Sequence, residues 1–293
     1  MIALEKEEIK FCEVEFKLTN KCNLKCLHCA PASDMNNRDL LSTGEVIIIL
    51  DKILKMNVGR LLITGGEPLI RKDIKYLLNY TRKNYKGTIN LITNGTFIDK
   101  EMALVLKKCV DAVSISLDGY DKESTDFIRG KGVYDRIINA IYNLKEVGFD
   151  KETIDLTMVS TSQNFNHEDE FYSLCEKLGV AGRVSEFFAK GRGLANFHRI
   201  GLKDLEETRE HLECKTTCTA GVNKIMINEK GDLYPSLILG SDEYKFGNVL
   251  YEELSDIFSR LGVNNSLYNN EDLREERCRK AKPHLSRLLW YAE

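Results

Sequence analysis

The chain has 293 residues, of which 43% are hydrophobic and 30% charged, and its formal net charge is −3. The length fits one large domain, or one domain and a small extension, and the composition is typical of a globular protein. The net charge gives no excess positive field that would indicate a nucleic-acid or anionic-membrane partner. The first residues, MIALEKEEIKF, are too short and too charged for a signal peptide, and apolar runs such as VIIIL are too short to span a membrane. We therefore expect a cytoplasmic protein without nucleic-acid or membrane partners.

Six predicted strands alternate with predicted helices along the first two thirds of the chain. The strands span residues 12–19, 60–64, 88–93, 112–117, 153–159 and 183–188. The first helix begins at the capping box STGE, and the connections are long enough for right-handed crossovers between parallel strands. The pattern predicts an α/β fold, either an open doubly wound sheet or an incomplete (β/α) barrel. In both folds, the binding and catalytic residues lie at the carboxyl ends of the strands.

Polar or glycine-rich segments follow the first four predicted strands. They are the loop LTNKCNLKCLHC, TGGEPL at 64–69, TNGT at 93–96 and LDG at 117–119. Because the carboxyl ends of parallel strands lie on one side of a sheet, these segments are expected to meet in one site.

Nine cysteines occur in the chain. A reducing cytoplasm disfavours structural disulfides, so clustered thiols there indicate metal binding or catalysis. Cys12, Cys109 and Cys175 lie singly in apolar patterns and are interpreted as small buried hydrophobic residues.

Three further cysteines, Cys22, Cys26 and Cys29, share one loop with the spacing C-x3-C-x2-C. A structural zinc site needs a fourth ligand from elsewhere, and His28 on the same tight loop is poorly placed to supply it. A four-iron cluster held by three thiolates instead leaves one iron open to another molecule. The spacing therefore favours an iron–sulfur cluster over zinc.

The segment CNLKCLHC resembles the signature loop of the radical S-adenosylmethionine (SAM) superfamily, and the later segments follow that superfamily's order. The resemblance implies a partial (β/α)6 TIM-type barrel over residues 1–200. It also implies that Cys22, Cys26 and Cys29 bind a [4Fe–4S] cluster whose fourth iron is chelated by the amino and carboxylate groups of SAM.

The same resemblance implies a set of SAM-binding residues at the rim of the barrel. They are His28, Gly65, Gly66, Glu67, Pro68, Asn94, Ser116, Asp118, Arg129 and Arg192. No catalytic side chain is assigned beyond the cluster and SAM.

Each of these residues has an expected contact. His28 would pack against the cofactor, and the GGEP segment would receive the methionine amino group, although GGEP is also typical of a simple Gly-Pro turn. Ser116 and Asp118 would lie near the ribose because alternate residues of a strand share a face, with Asn94 as their neighbour. Arg129 would pair with the SAM carboxylate, or would be a solvated loop arginine.

Arg192 lies in the segment FAKGRGLAN, which resembles a strand end of the family except that Ala189 replaces the usual proline. Its expected role is either to bind a carboxylate of SAM or substrate, or to brace the C-terminal extension.

The C-terminal part, residues 201–293, resembles the SPASM or twitch extension of radical SAM enzymes. In this part, the segments KIMIN and DLYP flank the turn EKG, and this pattern predicts a β-hairpin. We also expect helices in the extension.

The auxiliary cysteine set of such an extension is incomplete here. Where the family has cysteines, this chain has Ser236 and Ala281. Cys214, Cys218 and Cys278 could hold a three-ligand cluster or could be the remains of a lost site. We expect the auxiliary cluster to be absent or labile, since serine and alanine are poor ligands of iron–sulfur clusters.

The resemblance implies reductive cleavage of SAM to a 5′-deoxyadenosyl radical that abstracts hydrogen from a substrate. The extension favours a ribosomally made peptide that is crosslinked, epimerised or otherwise matured. Only 21 residues precede Cys22, so a leader-peptide-binding protein is expected to be a separate partner, besides an electron donor such as ferredoxin or flavodoxin.

Two alternatives stay open at this point. One is a small-molecule enzyme, such as a dehydrogenase of an aminocyclitol or sugar, or an enzyme of cofactor biosynthesis. The other is an iron–sulfur scaffold or electron carrier without catalytic activity.

Overall fold

The computed structural model describes residues 13–56, 58–202, 224–235 and 242–260, and within these ranges one sheet contains nine strands. The strands are β1 (Glu13–Lys17), β2 (Arg60–Thr64), β3 (Thr88–Thr93), β4 (Ala112–Ser116), β5 (Ile154–Val159), β6 (Ala181–Ser185), β7 (Lys224–Ile227), β8 (Asp232–Tyr234) and β9 (Gly247–Asn248). Their order across the sheet is β6–β5–β4–β3–β2–β1–β7–β8–β9. All neighbours from β6 to β7 are parallel, whereas β7–β8 and β8–β9 are antiparallel.

Helices follow each of the parallel strands β1 to β6, and one more helix follows β9. They are α1 (Thr43–Leu54), α2 (Ile74–Asn84), α3 (Lys100–Cys109), α4 (Lys122–Arg129), α5 (Val133–Glu146), α6 (Glu168–Leu178), α7 (Arg192–Ala195), α8 (Phe197–Ile200) and α9 (Leu254–Arg260), with short 3₁₀ turns at Pro68–Ile70 and Asp242–Tyr244. None of the described helices has the length and apolar character needed to cross a bilayer.

Helix α1 shows how local sequence sets these elements. The Ser42 side chain accepts a hydrogen bond from the Glu45 amide, and the Glu45 carboxylate accepts one from the Ser42 amide at 2.8 Å, which confirms the predicted capping box. Val46, Ile49 and Ile53 are fully buried at helical spacing. The helix therefore packs one apolar face into the core.

The strand order decides between the two predicted architectures. From β1 to β6, strands that are consecutive in the chain lie side by side, as in a (β/α) barrel. A doubly wound sheet would instead reverse its strand order. Since β6 lies at one edge of the sheet, the barrel is not closed, and the prediction of a partial (β/α)6 barrel is confirmed.

Four predicted strands differ from the observed ones in their bounds, of which β4, ending at Ser116, and β5, beginning at Ile154, differ by one residue each. Strand β1 ends at Lys17 instead of residue 19, because Thr19 belongs to the loop and its carbonyl accepts from the Gly66 amide. Strand β6 runs from Ala181 to Ser185 instead of 183–188. Cys12 lies outside the described residues.

The predicted hairpin is present as β7 and β8. Strand β7 pairs in parallel with β1, with Val14 opposite Ile225, so the hairpin continues the barrel sheet past β1. The proposed division at residue 200 stays a prediction. Cys214, Cys218, Ser236, Cys278 and Ala281 lie outside the described residues.

Candidate active site

Three free thiols lie on the loop after β1. Cys22 and Cys26 are buried and Cys29 is partly buried. Burial raises the pKa of the Cys22 thiol, and it raises the pKa of Cys26 to about 12 against the opposing effect of Arg129. These thiols would therefore ionise only with a compensating positive charge, which a bound iron cluster provides.

Hydrogen-bond donors surround two of the sulfurs. The Leu24 amide lies 3.4 Å and the Asn94 Nδ2 3.8 Å from the Cys22 sulfur, and Arg129 Nη1 lies 3.9 Å from the Cys26 sulfur. Donors of this kind stabilise the thiolates of iron–sulfur clusters and tune their potentials.

Two polar atoms next to these thiols, His28 Nδ1 and Arg129 Nε, are buried without a hydrogen-bond partner in the described part of the chain. A polar ligand at this place would satisfy both. No three His, Cys, Asp or Glu side chains of the described ranges surround a point that one metal ion could fill. A four-iron cluster does not need such a point, because each thiolate binds its own iron. The donor set fits a cluster with SAM beside it.

Asp118 follows β4 and is fully buried in a left-handed backbone conformation (φ 63°). Its Oδ2 lies 2.5 Å from Arg129 Nη2 and 3.1 Å from His28 Nε2, and its Oδ1 accepts from the Val159 amide at 2.8 Å. Burial raises the pKa of this carboxyl, but the Arg129 charge, the contact with His28 and the hydrogen bond from the Val159 amide outweigh burial and hold that pKa well below its usual range. Asp118 is thus an ionised group whose Oδ1 is hydrogen-bonded by the chain, while its Oδ2 lies close to Arg129 and His28 without a well-aligned hydrogen bond from either.

Ser116 and Asp118 do not share a strand face as expected. Strand β4 ends at Ser116, and Asp118 lies two residues beyond it with left-handed backbone angles, so the alternation of strand side chains does not extend to it. Ser116 is partly buried at the strand end.

Arg129 is the last residue of α4 and is almost fully buried. Its side chain joins Asp118 to the Cys26 sulfur, so it is not a solvated loop arginine. The backbone next to it also binds the cysteine loop, since the Ile128 carbonyl accepts from the Leu27 amide at 2.9 Å.

The GGEP segment lies against the start of the cysteine loop. The Gly66 amide donates to the Thr19 carbonyl and the Glu67 amide to the Lys21 carbonyl, each at 2.8 Å. A Cβ atom on Gly66 would lie 2.1 Å from the Lys21 carbonyl oxygen, and one on Gly65 would lie 2.5 Å from that of Thr19. Only glycine permits this approach at both positions.

Glu67 faces protein donors. Its carboxylate accepts from the Thr93 hydroxyl and from the amides of Asn94, at 2.7 Å, and Leu69, at 3.0 Å. Burial raises its pKa, which these hydrogen bonds only partly offset. Glu67 therefore holds the loops after β2 and β3 together, and Pro68 begins the short turn that follows it.

Asn94 contacts the cysteine loop directly. Besides the Cys22 sulfur, its Nδ2 reaches Asn23 Oδ1 at 2.9 Å, and Asn23 in turn donates to the Thr96 hydroxyl.

Two further asparagines, Asn164 and Asn196, were not singled out from the sequence. Asn164 donates to the Asp118 carbonyl, and Asn196 to that of Leu27. The position of Asn164 after the end of β5 could have indicated it, whereas Asn196 lies between α7 and α8 and has no such signal.

Arg192 binds the backbone of the cysteine loop. Its Nε donates to the Cys26 carbonyl at 3.0 Å and its Nη2 to the Ser33 carbonyl at 2.6 Å, while its amide donates to the Cys29 carbonyl. Gly191, with φ 54°, packs so closely that a Cβ atom would lie 2.2 Å from the Ala30 carbonyl oxygen. The segment after β6 thus crosses the open rim of the barrel and fixes the loop after β1.

Replacing Arg192 by glutamine is expected to loosen residues 26–33. The loss of two charged donors should speed both amide hydrogen exchange in that loop and iron loss from the reconstituted protein to a chelator by about tenfold. Arg192→Lys should restore only part of the protection, because lysine lacks the fork that reaches two carbonyls. Lys190→Gln, an equal charge change at an exposed side chain, is the control. Exchange and iron loss as slow in Arg192→Gln as in that control would contradict the bracing role.

The chain resembles known proteins in sequence and fold. The family model "Radical SAM superfamily" matches residues 16–175. Mycofactocin maturase MftC of Mycobacterium tuberculosis H37Rv is 31% identical over 289 residues, which cover 89% of this chain and 72% of that protein. The MftC of Mycolicibacterium smegmatis is 37% identical over 180 residues, 61% of this chain but only 45% of that protein.

Two more comparisons agree with these matches. Fe-coproporphyrin III synthase of Methanosarcina barkeri is 31% identical over 273 residues, 86% of this chain and 62% of that protein. The crystal structure of Streptococcus suis SuiB bound to S-adenosylmethionine superposes with a TM-score of 0.67 at 20% identity, covering 89% of this chain and 67% of that one. The chain belongs to the radical SAM superfamily, whose members use a [4Fe–4S] cluster and SAM.

Proposed function

We propose that the chain matures a ribosomally made peptide by abstracting hydrogen from it. The observation that carries this proposal is the 31% identity to a mycofactocin maturase over 89% of the chain. The fold agrees with it, since the solved structure of SuiB bound to its precursor peptide SuiA has a TM-score of 0.68 to this chain.

The described residues support the first part of this activity. Bound at this site, a [4Fe–4S] cluster would supply the electron for the reductive cleavage of SAM. Cys22, Cys26 and Cys29 would supply the three thiolates, with Asn94 and Arg129 donating toward the sulfurs. Burial of the first two thiols keeps water away from these ligands.

Contacts to SAM are proposed for the backbone of the GGEP segment, for Ser116 and for the unpaired Nε of Arg129. They are supported by the close approach of the glycines to the cysteine loop and by the buried polar atoms without partners. We place Asp118, Glu67 and Arg192 behind the SAM site, where they hold its loops.

A small-molecule substrate is the second candidate, because the Fe-coproporphyrin III synthase is as similar, at 31% identity over 86% of the chain. For either substrate we propose an external electron donor of the ferredoxin or flavodoxin type. A peptide substrate would also need a separate leader-peptide-binding protein. We place the reaction in the cytoplasm, which agrees with the five free thiols of the described residues.

The test is a single-turnover reaction. We expect a short precursor gene beside the gene of this protein. Anaerobically reconstituted and reduced protein would be mixed with SAM and the peptide that this precursor gene encodes. We expect 5′-deoxyadenosine and a peptide whose mass changes at one residue. A matched reaction with the peptide's sequence scrambled is the control. If the peptide stays unchanged while an iron tetrapyrrole is converted to Fe-coproporphyrin III under the same conditions, the small-molecule candidate is correct.

A further inference from the structure

The inner face of β1 carries three charged side chains. Val14 and Phe16 are fully buried on one face, and the alternation places Glu13, Glu15 and Lys17 on the other. A central strand of a parallel sheet is usually apolar on both faces, and bulky branched side chains usually fill a barrel interior. The inner face of β1 departs from both expectations.

Two of these charges have close partners. Glu13 lies 2.9 Å from Arg60 Nε and 2.7 Å from Lys224 Nζ. Lys17 lies 3.1 Å from Glu229, in the turn between β7 and β8, and both side chains are nearly buried. This second pair lies at the end of β1 that leads into the cysteine loop.

Glu15 is poorly compensated in comparison. Among the described residues, its nearest cation is Lys224 at 3.6 Å, and that lysine lies closer to Glu13. The Glu15 side chain is only 12% exposed. Burial raises its pKa more than Lys224 and Lys17 lower it. A mostly buried carboxylate that shares its cationic partner with a second carboxylate costs stability unless a ligand completes its environment.

The strand register places two buried apolar residues beside Glu15, Leu62 on β2 and Met226 on β7. The inner face becomes polar further across the barrel, where Leu62 lies beside Asn90 on β3. Asn90 donates to the Ser114 hydroxyl, which donates to Asp155 on β5. A polar molecule could therefore lie along this inner face. Glu15 lies about 7 Å from Lys17 along β1, toward the amino end of the strand.

We propose that Glu15 is a substrate-specificity residue that accepts a hydrogen bond from a donor group of the peptide, either a backbone N–H or a cationic side chain. This inference rests on the proposed peptide substrate. At the carboxyl end of β1, the Lys17–Glu229 ion pair covers the inner face of the strand. The pair also fixes the turn between β7 and β8 over the bound peptide segment.

The test compares Glu15→Leu and Glu15→Gln with Glu13→Gln, which alters a carboxylate on the same face that already has two close partners. With the precursor peptide encoded beside the gene, Glu15→Leu should lower kcat/KM by about tenfold or more, and Glu13→Gln should stay within about twofold of the unaltered protein. Glu15→Gln should keep most of the kcat/KM if the donor is a neutral N–H, and should match Glu15→Leu if it is cationic.

Thermal unfolding provides the second readout. Glu15→Leu should unfold at the same or a higher temperature than the unaltered protein, because it removes a poorly compensated charge, whereas Glu13→Gln should unfold at a lower one. The inference is wrong if Glu15→Leu retains its kcat/KM, or if it destabilises the fold as much as Glu13→Gln. If the unaltered protein fails to modify the peptide, the proposed function is wrong instead. The unfolding temperatures of Glu15→Leu and Glu13→Gln would still test whether Glu15 is a poorly compensated charge.

Discussion

Replacing any one of Cys22, Cys26 and Cys29 by alanine is expected to abolish SAM cleavage and to reduce bound iron from about four per chain to near zero. Each change removes one of three protein ligands, and the open fourth position offers no replacement. The measurements are iron content after anaerobic reconstitution, the electron paramagnetic resonance signal with and without SAM, and 5′-deoxyadenosine formation.

Cys109→Ala and Cys175→Ala are the matched controls, since both thiols are buried in helices away from the cysteine loop. They should keep their iron and lose only the stability that packing of a small side chain provides. SAM cleavage retained by any of the three loop variants would refute the cluster assignment. Iron close to eight per chain in the unaltered protein would show a complete auxiliary cluster, contrary to our expectation for Cys214, Cys218 and Cys278.

The parts of the fold that were predicted correctly depend on local signals. The strands alternate with helices at regular intervals, Ser42 and Glu45 mark a helix start, and the residues EKG separate two short strands. The location of the site also followed from topology, because the loops after parallel strands meet at one rim.

Helix α4 occupies a segment where the sequence suggested a loop around Arg129, because the helical signal of this segment is weak. Its eight residues, KESTDFIR, are mostly polar, and the side chain of Asp121 caps it by accepting from the Ser124 amide. This helix matters because it places Arg129 in the interior. If this segment were a loop, Arg129 would be expected either to be exposed to solvent or to bind the cofactor.

The contacts of the site residues could not be predicted from the sequence. His28, Asp118 and Arg129 meet from separate segments of the chain, and no local pattern encodes a three-way contact. Arg192 was assigned to the cofactor or to the extension, whereas its guanidinium faces backbone carbonyls more than 150 positions away. Such pairings depend on the curvature of the sheet.

Replacing Asp118 by asparagine is expected to lower the free energy of unfolding by about 3–5 kcal/mol, because it leaves the buried Arg129 guanidinium without its counter-charge. The double variant Asp118→Asn/Arg129→Gln should be less destabilised than the sum of its two single variants. Asp135→Asn, which removes the carboxylate of an exposed pair with Lys122, is the control and should change stability little. Urea unfolding at neutral pH measures all four.

The pH dependence of the free energy of unfolding tests the same prediction. The pKa of Asp118 is lower in the folded protein than in the unfolded chain, so its ionised form stabilises the fold at every pH above the unfolded value of about 4. As the pH falls below about 4, toward the folded pKa, the stability gap between the unaltered protein and Asp118→Asn should narrow. A gap that is absent at neutral pH, together with weakened SAM binding, would mean that this carboxylate serves the ribose. A large gap that closes in acid means that Asp118 acts through Arg129 and His28, by holding the cysteine loop against the rim.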